Sequence, residues 1–152
     1  MEQTTTEPAA FEDVYREQRL SLIRLAYLLT GSREQAEDIV QSAFAAAHDR
    51  WPEVANPPAY LRRAVVNLAN DTHRRRFRER LLVHREETTD IPELDETWAE
   101  VKRLPASQRA VVVLRFYEDL PLAEIAVLLD RPPATVRSDL RRALDRLRRT
   151  LP

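Results

Sequence analysis

Two arginine-rich stretches carry the side chains best able to do chemistry. In "PPAYLRRAVVNLANDTHRRR", residues 57–76, Arg62, Arg63, Asn67, Asn70, Asp71 and Arg74 recur at helical spacing, opposite Tyr60, Leu61, Ala64, Val65, Leu68 and Ala69. Amides can read base edges, and guanidinium groups can hold phosphate or stack on an exposed base. In "ATVRSDLRRALDRLRR", residues 134–149, Thr135, Arg137, Ser138, Arg141 and Arg142 crowd the start and outer face of another helix, the arrangement that meets duplex DNA in a recognition helix. A third group is acidic and amide-bearing. Glu37, Asp38 and Gln41 share the polar stripe of a helix whose other stripe is Ala36, Ile39, Val40, Ala43, Phe44 and Ala47. Such groups on a stiff helix suit a specific, reversible protein contact.

The inventory argues against an enzyme and against a bound cofactor. The 152 residues contain no cysteine, and the single glycine, Gly31, rules out a glycine-rich phosphate loop. The three histidines, His48, His73 and His84, have no metal-ligand spacing. The amino-terminal "MEQTTTEPAAFEDVYRE" lacks the basic and apolar regions of a secretory signal, and no run approaches a membrane span, so a cytoplasmic protein without membrane contact is expected.

Net charge is −1, but the charge is segregated. Residues 1–53 hold ten acids and five bases, residues 62–80 seven arginines and two acids, residues 86–100 seven acids and no base, and residues 131–149 seven arginines and two acids. Two basic blocks flanking an acidic stretch predict two contacts to a polyanion, with other surfaces meeting something else.

These side chains need helices to position them, and the sequence reads as all-α: two small helical domains joined by a flexible acidic linker. Residues 1–10 read as a disordered tail. Phe11, Val14, Tyr15, Leu22, Leu25 and Leu29 then mark a helix that stops at Gly31, where a left-handed residue fits, and Ser32 with Gln35 forms a capping box for a helix over 33–49. "RWPEVANPPAY" breaks that helix and Pro57–Pro58 begins the next, while Trp51 reads as a core anchor. Residues 81–96 lose periodicity and form the linker.

Trp98, Val101 and Leu104 open the second unit, 97–152, which ends in a helix-turn-helix. Its first helix, about 121–129, presents Ile125, Ala126 and Leu129 to a second whose inward residues are expected to be Val136, Leu140, Leu144 and Leu147. Asp130 stands where such turns commonly use glycine, and aspartate tolerates the left-handed region at some strain. Pro133 pushes Pro132 toward the extended shape of an N-cap and itself fits the first helical position. With no capping side chain there, the N–H groups of Ala134 and Thr135 are expected to be free for water or a DNA phosphate.

Taken together, "AEDIVQSAFAAAHDRW", "PPAYLRRAVVNLANDTHRRR", "LPASQRAVVVLRFYEDLPLAEIAVLL" and "TVRSDLRRALDRLRR" resemble the extracytoplasmic-function (ECF) sigma factors of the sigma-70 family, in the family's order and over about residues 11–150. The resemblance implies a region 2 at 11–80 that binds core RNA polymerase and captures and opens the minus-10 element, and a region 4 at 97–152 that binds the minus-35 element as duplex. It implies that Glu37, Asp38 and Gln41 meet the β′ clamp helices. It carries minus-10 contacts onto Arg63, Asn67 and Asp71, with Asn70 and Arg74 beside them, and onto Val54, Ala55 and Asn56 as base-pocket residues in a loop, "PEVANPP", shorter than in many relatives. It also implies that region 4 meets the β flap through its apolar surface, that the linker follows the RNA-exit path, and that an anti-sigma factor is a possible partner. Two other readings stay open from the residues alone. An autonomous helix-turn-helix regulator would use 121–149 and leave "AEDIVQ" and "VVNLANDTHRRR" without a role; a protein-interaction module could sequester a partner.

Overall fold

A computed structural model describes residues 10–80 and 96–150, with side chains for 10–71 and 97–150. The expected tail and linker, 1–9 and 81–95, therefore lie outside the described residues, as does the Arg74 side chain. Among the described residues seven α-helices run in order: α1 Phe11–Thr30, α2 Arg33–Asp49, α3 Pro57–Arg80, α4 Glu96–Arg103, α5 Ala106–Val112, α6 Leu122–Leu129 and α7 Pro133–Thr150. There is no strand among the described residues. Glu96, read from sequence as the last linker residue, is instead the first residue of α4.

The α1–α2 junction forms as its residues dictate. Gly31 adopts φ 74° and donates its N–H to the Tyr27 carbonyl at 2.7 Å, and the buried Ser32 hydroxyl accepts from the Gln35 N–H at 3.3 Å. A single 3₁₀ turn, Trp51–Glu53, leads toward α3. Trp51 is half-buried with its ring edge-on to Phe11 at 5.1 Å, in a cluster with Phe44 and His48. Tyr15, expected inside, is 39 % exposed, with its ring edge-to-face with Phe44 at 4.8 Å and stacked with Phe11 at 6.4 Å.

In the second half α5 continues into a π-helical turn, Val113–Tyr117, followed after Glu118 by Asp119 at φ 55°. Wider turns of this kind let one face of a helix shift register. Here the shift leaves Val111, Val112, Val113 and Leu114 all buried, so a run of four apolar residues is enclosed from every side.

The two halves share one continuous core. On α1, Leu25, Ala26, Tyr27, Leu28 and Leu29 are all buried, although the core of the first half needs only one stripe of them. The other side is covered by the second half: the Tyr27 ring meets Trp98 at 5.7 Å, and the Lys102 side chain crosses Gly31 so closely that a Cβ there would stand 3.3 Å from its Cε. On α3, Val66 is buried and Arg62 bonds Glu118 at 3.1 Å, so Arg62 does not join the outward-facing set that the spacing suggested. Apolar runs without a polar stripe, "LAYLL" and "AVV", were the sequence signal for this second contact surface.

Candidate nucleic-acid and polymerase interface

Three exposed faces remain. The first belongs to α2. Ala36, Ile39, Val40, Ala43, Phe44 and Ala47 are buried, and Glu37, Asp38 and Gln41 stand exposed on the opposite side. Glu37 is paired along the helix with Arg33 at 3.3 Å, whereas Asp38 and Gln41 lie one turn apart and point outward.

The second face is a narrow stripe of α3. Leu61, Val65, Val66 and Ala69 are buried and Tyr60, Arg62, Ala64, Leu68 and Asn70 are half-buried, which leaves Arg63, Asn67 and Asp71 exposed at i, i+4 and i+8. These three therefore stack along one edge of a helix gripped on both flanks, and Asn70 sits at the margin. The helix starts on Asn56, whose side-chain oxygen accepts from the Ala59 N–H at 3.3 Å while its carbonyl accepts from Tyr60 at 3.0 Å. That gives Asn56 a capping role beyond the one expected of it, although Asn before Pro-Pro is a good N-cap signal. Of its loop neighbours, Ala55 is exposed and Val54 half-buried.

The third face is α7. Its buried stripe is Val136, Asp139, Ala143 and Leu147, rotated from the expected one. Leu140 and Leu144 are half-buried and, with Leu122, floor a groove of about 220 Å³ rimmed by Arg137, Arg141, Arg148 and Asp145. Ala134, Thr135, Arg137, Arg141 and Arg142 are exposed and Ser138 is half-buried. The proline pair starts the helix as expected, with Pro133 the first helical residue. The Pro132 carbonyl, however, accepts from the N–H of Thr135 at 3.0 Å and of Val136 at 3.1 Å. The Thr135 N–H is thus already bonded and is not available to a phosphate.

Asp130 is left-handed, φ 53° and ψ 52°. Its N–H reaches the Val127 carbonyl at 3.2 Å and the next N–H, of Arg131, reaches Ala126 at 3.0 Å, the two bonds of a Schellman turn. The Arg131 side chain adds a polar tie that local spacing does not signal. Its Nη1 donates to Asp139 Oδ2 at 3.1 Å and to the Ser107 carbonyl at 3.2 Å.

A bundle with acid-amide and amide-guanidinium faces in its first half and a helix-turn-helix in its second is the build of a two-region transcription factor that meets both protein and DNA. Comparison with known proteins agrees. Sigma-70 region 2 matches residues 8–79 and sigma-70 region 4 matches residues 94–147. The chain is 32 % identical over 151 residues to the RNA polymerase sigma-E factor of Streptomyces avermitilis, covering 93 % of this chain and 84 % of that protein. It is 30 % identical over 151 residues to the ECF RNA polymerase sigma factor SigM of Mycobacterium tuberculosis, covering 93 % and 77 %. Its fold is similar to that of the sigma factor RpoE of Bartonella quintana, solved with the anti-sigma factor NepR, at TM-score 0.73 and 24 % identity over 91 % of this chain and 96 % of that one. The chain belongs to the sigma-70 family, within its ECF group. It is a sigma factor that binds core RNA polymerase and directs promoter-specific initiation of transcription.

Proposed function

We propose that residues 11–80 act as region 2, 97–152 as region 4 and 81–96 as the connection between them, with the work divided among the three exposed faces. Asp38 and Gln41, with Glu37 beside them, dock on the β′ clamp helices. Arg63, Asn67 and Asp71, flanked by Asn70 and Arg74, capture and hold open the minus-10 element, with Val54, Ala55 and Asn56 lining a base pocket. Thr135, Arg137, Ser138, Arg141 and Arg142, with the Ala134 backbone, bind the minus-35 duplex. The observation that carries this reading is the α3 stripe: one amide, one guanidinium and one carboxylate exposed in line over residues 60–71, where every other residue is buried or half-buried. Opening a duplex needs groups that replace lost stacking and pairing on a support that does not yield.

The exposed Phe116, Tyr117 and Val127 supply the apolar surface of the second half for the β flap. The protein acts in the cytoplasm, where it contributes recognition and carries out no chemistry of its own; no described helix is long and apolar enough to cross a membrane. An anti-sigma factor is a fitting regulator, because the sigma factor RpoE, of similar fold, is solved in complex with the anti-sigma factor NepR.

Run-off transcription with core polymerase over a fragmented genomic library tests the whole scheme and returns the promoter consensus. Initiation at a discrete set of fragments is expected, with weak duplex binding by the protein alone. Tight core-independent binding to one duplex with no stimulated initiation would establish the autonomous-regulator reading instead.

A further inference from the structure

An acid in the buried stripe of a recognition helix needs a reason. Asp139 is 8 % exposed, between Val136 at 0 % and Ala143 at 0 %, one face of α7 where an apolar side chain would pack without desolvation cost. Its partner is Arg131, and Arg131 occupies the position after the left-handed residue of the Schellman turn, where an apolar residue usually packs back on the helix just ended. Here that contact is replaced by a polar one. The Arg131 backbone N–H is fixed on the Ala126 carbonyl, and its Nη1 bridges Asp139 on α7 to the Ser107 carbonyl in the first turn of α5.

One nitrogen thus ties together the turn, the recognition helix and the helix beneath it. Apolar packing of Ile125, Ala126 and Leu129 on α7 resists separation but tolerates small rotations, because dispersion contacts are nondirectional. Two hydrogen bonds from one charged nitrogen are directional, and side-chain exposures of 22 % and 11 % shield the pair from salt. A rotation of α7 about its axis moves Arg137 and Arg141 relative to α5 and α6 while leaving the helix formed.

We propose that Arg131, through Asp139 and the Ser107 carbonyl, is the positioning residue that sets the rotation and tilt of α7, and so the discrimination of the minus-35 sequence. The proposal rests on the assignment of α7 to minus-35 binding. Arg131 itself is directed inward and need not touch DNA.

The test uses the full chain with core polymerase, on a promoter fragment recovered from the run-off screen and on the same fragment with its minus-35 element scrambled. The readout is the ratio of transcripts from the two templates. Arg131→Met keeps the stem length and removes the donors; it is expected to lower the ratio roughly 5- to 10-fold, chiefly by reducing output from the intact template. Arg131→Lys keeps one charged nitrogen able to serve both acceptors and is expected to retain most of the ratio. Asp139→Asn is expected to fall between them.

An unchanged ratio for Arg131→Met, with helicity and thermal unfolding like those of the parent chain, overturns the proposal. Loss of output from both templates in parallel, by a variant with helicity and thermal unfolding like those of the parent chain, overturns it too, since that marks a role other than aiming α7 at the minus-35 element. If Arg131→Met does not fold, the same two outcomes are read from Asp139→Asn. Failure of the parent chain to prefer the intact template overturns the minus-35 assignment itself, a result separate from failure of the clamp.

Discussion

Helices α3 and α7 both begin on a proline pair and both are rich in arginine, yet they are held in opposite ways. α3 is capped by the Asn56 side chain and enclosed over a broad arc by Leu61, Val65, Val66 and Ala69, with the first half on one flank and Glu118 of the second on the other. α7 has a backbone cap from Pro132, a narrower buried stripe, and a wide exposed face of arginines. The difference reflects the targets. A helix that must stand in for a lost base pair presents few groups on a rigid edge, whereas a helix that enters an intact groove presents a broad positive face and needs mainly to be aimed.

The largest expected effect tests the enclosure of α3. Leu61 is fully buried, so Leu61→Ala should cost about 2–5 kcal/mol, whereas Leu147→Ala, at 9 % exposure near the end of α7, should fall at the low end of that range or below. Thermal or urea unfolding of the two variants decides it. Equal costs would mean that α3 is no more tightly held than α7.

Next come the contacts themselves. Arg137→Ala should reduce use of the minus-35 element by about 1–3 kcal/mol if it reads a base, or lower the salt slope of duplex binding by about 1 if it holds a phosphate. Asn67→Ala should leave duplex binding and its salt slope unchanged but reduce promoter opening, followed with permanganate or a fluorescent base in the minus-10 element. Asn67 carries no charge, so a changed salt slope in that variant would break the division of labour between the two helices.

The helix ends sharpen the comparison at about 1 kcal/mol. Asn56→Ala removes the α3 cap and should destabilise by about 1 kcal/mol. Gly31 and Asp130 form a pair of left-handed helix ends, one with the fitting residue and one without. Gly31→Ala should destabilise, because a Cβ is disfavoured at φ 74° and must also displace Lys102, while Asp130→Gly should stabilise by up to about 1 kcal/mol. Chemical denaturation of each variant reads the sign directly. A loss of stability for Asp130→Gly would mean that the aspartate side chain anchors the turn.

Much of this was legible from the chain. The bounds of α1 and α2 are set by Gly31 and Ser32, the start of α3 and α7 by Pro57 and Pro133, and the left-handed turn by Asp130, because in each case one local rule decides. Three features were not legible, and each depends on partners distant in sequence. Leu140 and Leu144 fit a heptad-like stripe as well as Val136, Asp139 and Ala143 do; packing on α5 and α6 chose the latter, and an acid is admitted there only because Arg131 reaches it. The Arg62–Glu118 pair and the Tyr27–Trp98 contact join the two halves; the unstriped runs "LAYLL" and "AVV" signal a second contact surface, but nothing local names the partners that cover it. Among the site residues, local spacing placed Arg63, Asn67 and Asp71 together, but only the second contact surface of α3 separates them from Arg62.

The junction of the halves also leaves the smallest predicted signal, in the pH dependence of stability. Tyr117 lies at the end of the π-helical turn, and burial raises its phenol above the ordinary value; the positive charge of Arg24 on α1 opposes that rise and Glu118 adds to it. The tyrosinate is the charged form, so the folded state holds its proton to higher pH than the unfolded chain does. Stability is therefore undiminished below the ordinary phenol range, near pH 10, and declines as pH climbs from there through the raised value. With 44 % of the residue exposed, the effect is small. Unfolding temperatures from pH 8 to 11 should fall less steeply above about pH 10 for Tyr117→Phe than for the parent chain. Arg24→Gln should steepen the fall, since it removes the one neighbour that favours the tyrosinate. If Arg24→Gln leaves the alkaline slope unchanged, the charge of Arg24 does not act on the Tyr117 phenol across the junction.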